Sequence, residues 1–174
     1  VGRLTADAAA RPGEASGVRI VDVGAVRAAP PPVRAALAAG WSNGARVIRV
    51  TGRAMWQQAS TLSRLIVETG VPRDGAIYLD LADCEFLDST MLGLLRQHRA
   101  ALTICAPSDR VVLAFRELGI LDHLRIAQVR APEADLLAED DGEADRTARA
   151  RLVLAAHESL SEAGEENRRR FAAV

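Results

Sequence analysis

Residues 75 to 95 read GAIYLDLADCEFLDSTMLGLL. The apolar run Gly75 to Leu81, with β-forming Ile77 and Tyr78, predicts a strand. Asp83 to Leu87 reads as a connector, and Asp88 is the residue type that opens helices well. Met91, Leu92, Leu94 and Leu95 then share one helical face through about Arg99. The order is therefore strand, connector, helix.

The same alternation continues downstream. Ala101 to Cys105 predicts a strand, Ser108 an N-cap, Val112 to Leu118 a helix closed by Gly119, and Leu124 to Val129 another strand. Upstream, the Asn43-Gly44 pair is a turn signal that leads into a strand over Arg46 to Thr51. After Gly52 the apolar period lengthens, and Ala59, Leu62, Leu65 and Ile66 fall on one face of a helix ending near Gly70, with Pro72 confirming the stop. Further back, Val18, Ile20 and Val23 suggest a short strand. Pro30, Pro31 and Pro32 stop any ladder there, and Val33 to Ala39 reads as one or two helical turns. Strands separated by helices of this length imply right-handed crossovers. The expected class is α/β, with a mixed, mostly parallel sheet of four to five strands packed with helices. No glycine-rich phosphate loop follows any strand.

Composition narrows the function classes. The 174 residues are 49% hydrophobic, 26% charged and 3% aromatic, in keeping with one domain and an extension. Arg, Asp or Glu interrupts every long apolar stretch, so no membrane span is expected, and without a signal-peptide core near the start the cytoplasm is the expected compartment. All 22 basic residues are arginine and the formal net charge is -1, which offers no general attraction to nucleic acid. Cys84 and Cys105 are isolated and form no CxxC pair, so neither a zinc cage nor a disulfide framework is indicated. Cys105, within an apolar run, reads as a small buried hydrophobe, whereas Cys84, within the connector, reads either as structural or as a reactive thiol.

Three regions emerge: a leader over 1 to 16, a domain over 17 to 132, and an acidic helical extension over 133 to 174. The extension holds 11 acidic and 6 basic residues, a net of -5 against +4 for the remainder. Its expected long helix runs from about Glu143 to Ala172, with acidic residues at the start and Arg168, Arg169 and Arg170 near the end, a polarity that suits the helix dipole. Leu152, Ala155, Ala156, Leu160 and Ala163 trace a thin apolar stripe. Such a stripe serves equally for folding back on its own domain or for a homodimer.

The 75 to 95 segment, the following strand, and APSDRVVLAFRELGILDHLRI over 106 to 126 together resemble a STAS domain of the anti-sigma factor antagonist type. VTGRAMWQQASTLSRLI over 50 to 66 is similar to that family's first strand, glycine and helix, so the resemblance covers roughly 46 to 130. Its most specific part is Leu87-Asp88-Ser89-Thr90. In the family an Asp-Ser-Ser or Asp-Ser-Thr triplet starts the second helix, and the serine after the aspartate is phosphorylated by a partner kinase. The resemblance thus implies Ser89 as the phosphorylation site, with Thr90 the lesser candidate. It implies as partner an anti-sigma factor with a GHKL-type kinase fold. The alternative within the family is a scaffold or accessory subunit of a signalling assembly or a lipid-transport ATPase, without phosphorylation.

Elementary chemistry gives this spot two readings. Asp88, Ser89 and Thr90 are what any helix start prefers. A hydroxyl in a first helical turn is also open to a partner, and a phosphate there, with a charge of about -1.5 to -2 near Asp88 and Glu85, would repel or desolvate an interface. Two departures from the family pattern are Met91, where glycine is usual, and Met55, where an acidic residue is common. Met55, Trp56 and Met91 are expected to form an apolar patch around the Ser89 helix start, with core packing the other reading for all three. An enzyme is not expected. Ser89 and His98 are nine residues apart on one helix, about 13 Å along its axis. No GxSxG elbow or HExxH pair occurs, and no cofactor is implied.

Overall fold

Asn43 and Gly44 decide the first element. In the computed structural model both have positive φ, 49° and 81°, the backbone pair that closes a two-residue β-hairpin. The chain before the turn is therefore drawn into a strand, β1 (Ala36–Ser42), paired antiparallel with β2 (Ala45–Ala54) from Ser42 opposite Ala45 to Ala36 opposite Thr51. This replaces the helical turns expected over Val33 to Ala39. The turn imposes pairing on residues whose own propensity is helical. The structure describes residues 35–68, 77–140 and 145–171, all within one compact unit. The expected leader, the strand around Val18 to Val23 and the helix stop at Gly70 and Pro72 lie outside the described residues.

Among the described residues the sheet has seven strands rather than four or five, and it is mixed rather than mostly parallel. β3 (Ile77–Asp80) runs parallel to β2, β5 (Leu102–Cys105) parallel to β3, and β6 (Ile126–Ala127) parallel to β5. The β1 edge is antiparallel: β7 (Leu137–Glu139), in the expected acidic extension, pairs with β1 on the side away from β2. The connector expected over Asp83 to Leu87 contains a further strand, β4 (Cys84–Leu87), paired with the far end of β2. β2 is long enough to reach past β3, and the register shifts beyond Gly52, whose φ is 70°, so its last residues meet a different neighbour. The strand expected over Leu124 to Val129 is reduced to two paired residues.

Helices cover one face. α1 (Trp56–Val67) buries Ala59, Leu62, Leu65 and Ile66, the predicted face, and α2 (Ser89–Gln97) buries Met91, Leu92, Leu94 and Leu95. α3 (Asp109–Glu117) contributes Val111 and Phe115. These side chains join Ile48, Val50, Ile77 and Leu79 in the main core, while Val47 and Cys105 point to the opposite face beneath Ala131. The expected single helix over Glu143 to Ala172 is two helices, α4 (Arg146–Ser161) and α5 (Glu165–Phe171), separated around Gly164. The apolar stripe of α4 lies on the chain's own domain, with Leu160 in the main core.

The hairpin turn supplies the first test. Gly44→Val places a β-branched residue at φ 81° and is expected to lower unfolding stability by about 1 to 2 kcal/mol, whereas Gly44→Asn stays close to the parent. Urea denaturation measures both. Equal stability of the valine and asparagine variants would refute this account of β1.

Candidate functional site

The Asp88 carboxylate holds the starts of two helices. With Asp88 itself extended, one oxygen accepts the Met91 backbone N–H of α2 at 2.9 Å, and the other accepts the Trp56 backbone N–H of α1 at 2.7 Å. Helix N-termini carry unsatisfied donors and partial positive charge, and α1 has no acidic residue in its first turn. Asp88 therefore supplies from across the fold what α1 lacks locally. Its own N–H donates to Ala54 O at 3.3 Å, tying the α2 start to the end of β2.

Ser89, the first residue of α2, is half-buried, with its Oγ 3.1 Å from Nε2 of His157 on α4. Depending on the tautomer, either the hydroxyl donates to the ring or the ring N–H donates to the hydroxyl. The imidazole also stacks on Phe171 of α5, centroids 5.3 Å apart. A hydroxyl against an imidazole is the beginning of a nucleophile and base. Among the described residues the buried Nδ1 has no hydrogen-bond partner.

The remaining predicted residues separate into two groups. Met55 and Trp56 are each 37% exposed, and Glu85 is exposed on β4. Thr90 is only 4% exposed and Met91 is 0%, so neither belongs to an accessible patch. The expected patch of Met55, Trp56 and Met91 is corrected accordingly: Met91 lies on the inner face of α2 among the core leucines, while Trp56 carries the Arg149 guanidinium over its ring at 5.2 Å. Beside Glu85, Phe86 is covered by Arg53 at 4.6 Å. His98 closes α2 and its pKa is lowered by burial. Burial likewise pushes the Cys84 and Cys105 thiols up to about 11, so the reactive reading of Cys84 is replaced by an inert one.

Residues beyond the predicted set complete the site. α4 crosses α2 at Gly93, where a Cβ would overlap the Ala156 carbonyl and lie 2.9 Å from its Cα. One turn along, the buried Arg96 donates from Nη1 to Ser159 O, to Ser159 Oγ at 3.2 Å and to Glu162 Oε2 at 3.3 Å. From α5, Asn167 Nδ2 donates to Leu118 O at 2.6 Å. Among the described residues, three buried nitrogens on these helix seams have no hydrogen-bond partner: Arg96 Nε, Arg149 Nε and His157 Nδ1. Each forfeits hydrogen bonds that water would make, on the order of 1 to 3 kcal/mol. A small-residue pairing was visible in Gly93 and the Ala155-Ala156 step, and His157 adjoins that stripe. Nothing in either segment alone paired them.

Among the described residues no helix is long and apolar enough to cross a membrane, and no three His, Cys, Asp or Glu side chains gather as a metal site. No protein-family model and no curated protein matches the chain.

Asp88→Ala removes both helix-start acceptors and is expected to lower stability by about 1 to 3 kcal/mol in urea denaturation, with Asp88→Asn recovering at least half. An alanine variant as stable as the parent would contradict the shared cap.

Proposed function

We propose that this chain is a protein-binding regulatory domain whose docking surface is the start of α2, with Ser89 as the residue through which binding is switched. The observation that carries the reading is the placement of Ser89: a half-buried hydroxyl in the first helical turn, beside an aspartate committed to capping, whose recorded side-chain contact comes from the C-terminal segment. Thr90, the other candidate hydroxyl, is buried.

The likeness to STAS domains of the anti-sigma factor antagonist type draws support from two features. One is the run of parallel strands β2, β3 and β5 with α1 and α2 between them. The other is the Asp-Ser-Thr triplet at the α2 start. On that reading the partner is an anti-sigma factor with a GHKL-type kinase fold, and its capture frees a sigma factor. A groove of about 290 Å³ between β4 and α3, lined by Phe86, Leu87, Val111 and Leu113, borders the same end of the fold and offers apolar contact area. Phosphate on Ser89 would bring a charge of about -1.5 to -2 into that contact next to Asp88. Left desolvated and unpaired, such a charge costs on the order of 2 to 5 kcal/mol, a weakening of roughly thirtyfold to several thousandfold.

The hydrogen bond between Ser89 and His157 favours a second reading, in which the surface binds without modification, as a scaffold or accessory subunit. Incubation with ATP and the serine kinases encoded in the same genome separates the two. The switch reading expects phosphate on Ser89 and none on Thr90, lost in Ser89→Ala. Absence of phosphate at Ser89 with every such kinase would defeat it and leave the scaffold.

A further inference from the structure

The C-terminal helices do more than fill space. α4 crosses directly over the outer side of α2 at Gly93, ties down Arg96 with a backbone carbonyl, a hydroxyl and a carboxylate, and delivers His157 to the Ser89 hydroxyl. These three contacts lie on the helix whose start is the proposed docking surface, while Arg149 of α4 reaches Trp56 of α1 and Asn167 of α5 reaches Leu118 O. We propose that α4 and α5 are an intramolecular cover, which occupies the partner face of α2 and must lift before Ser89 can be docked against or modified. This inference rests on the reading of Ser89 as the docking residue.

The composition of the seam is that of a contact made to be broken. Of the 16 residues of α4 only Ala156, Ser159 and Leu160 are buried, and α5 buries Asn167 alone. α2, by contrast, buries seven of nine. The apolar hold of the cover is Ala156 and Leu160, with Leu152, Ala163 and Phe171 partly buried beside them, less than α2 itself contributes, and segments with fewer buried apolar contacts open at lower free energy than the core. Polar contacts fix its position as well. They can be exchanged for water on opening, as at interfaces between separable units of one chain. The unpartnered nitrogens of Arg96, Arg149 and His157 gain hydrogen bonds with water when the cover lifts. Asp145, at the N-cap of α4, makes no side-chain capping bond, and the first turn of α4 holds no acidic residue, so little at this end resists fraying.

What replaces α4 is constrained by what α4 satisfies. A partner segment lying across Gly93 needs a small residue at the crossing, because the two backbones already touch there. It also needs acceptors, a carbonyl or a carboxylate, for the Arg96 guanidinium, which would otherwise be left buried and unpaired.

Two measurements on the full chain test the cover. Hydrogen exchange of the unmodified protein is expected to show the amides of 146 to 161 and 165 to 171 exchanging together at least tenfold faster than those of β2 and β3. Protection of α4 equal to that of β2 and β3 would overturn the proposal, since α4 would then open only with the whole fold. The second uses Gly93→Ala, which pushes on the Ala156 carbonyl while improving the helix propensity of α2. Ser89→Cys provides the reporter, against a low background because Cys84 and Cys105 are buried with thiols pushed up to about 11. A maleimide is expected to react at least tenfold faster with Cys at position 89 when Gly93→Ala is also present. Equal rates in the two folded variants would overturn the proposal, and if Gly93→Ala fails to fold the exchange measurement decides alone. Neither readout involves a kinase or a partner. A chain whose cover lifts but which never takes phosphate or partner at Ser89 refutes the docking reading and not the cover.

Discussion

One side chain fixes the geometry on which the rest depends. The Asp88 carboxylate accepts a backbone N–H from the start of α1 and another from the start of α2, and its own N–H is bound to the end of β2. Sheet, first helix and second helix are thereby locked at a single point. The consequence for Ser89 is direct. As the next residue it is placed in the first turn of a helix whose start cannot drift, with a fixed backbone on one side and the covering helix on the other. A serine serving only as a cap would have its hydroxyl turned to the helix N–H groups. Here Asp88 performs that task, and the Ser89 hydroxyl is free to face α4.

The seam between α2 and α4 has a different character from the core beneath it. Below α2, Met91, Leu92, Leu94 and Leu95 meet other apolar side chains at essentially full burial, which favours one arrangement and resists exchange. Above α2, Leu160 and Ala156 are joined by a guanidinium, an imidazole, a hydroxyl and bare backbone in the contact, and Arg96 Nε and His157 Nδ1 have no partner among the described residues. Packing of the first kind builds a domain. Contact of the second kind suits a surface with two occupants, one supplied by the chain itself and one by a partner.

Much of the architecture was legible in the sequence because local signals agreed with the tertiary outcome. The apolar faces of α1 and α2, the Asp88 cap and the strand over Leu102 to Cys105 are cases where period, cap and packing point the same way. The failures share a cause, namely pairing decided by a distant segment. Ala36 to Ala39 has helical propensity, but the Asn43-Gly44 turn folds it onto β2. Cys84 to Leu87 is too short and mixed to read as a strand, and becomes one only because β2 extends past β3 to meet it. At the site, the Asp88 cap was readable from the triplet, whereas the contact between Ser89 and His157 was not. A histidine 68 positions away carries no local mark of the hydroxyl it will meet. Met91 reads in two ways, on the apolar face with Leu92, Leu94 and Leu95 and in a patch beside Ser89, and its full burial upholds the helical face and not the patch.

The account stands on the idea that the α2 start is a modifiable docking surface kept under a cover. Its most direct test is the rate of phosphate incorporation at Ser89 from ATP, followed by mass spectrometry in the full chain and in Gly93→Ala with the same kinase. Incorporation at Ser89 that is several-fold faster in Gly93→Ala, with none at Thr90, is the predicted result. Equal rates in the two proteins would contradict the cover, and no phosphate at Ser89 in either would contradict the switch.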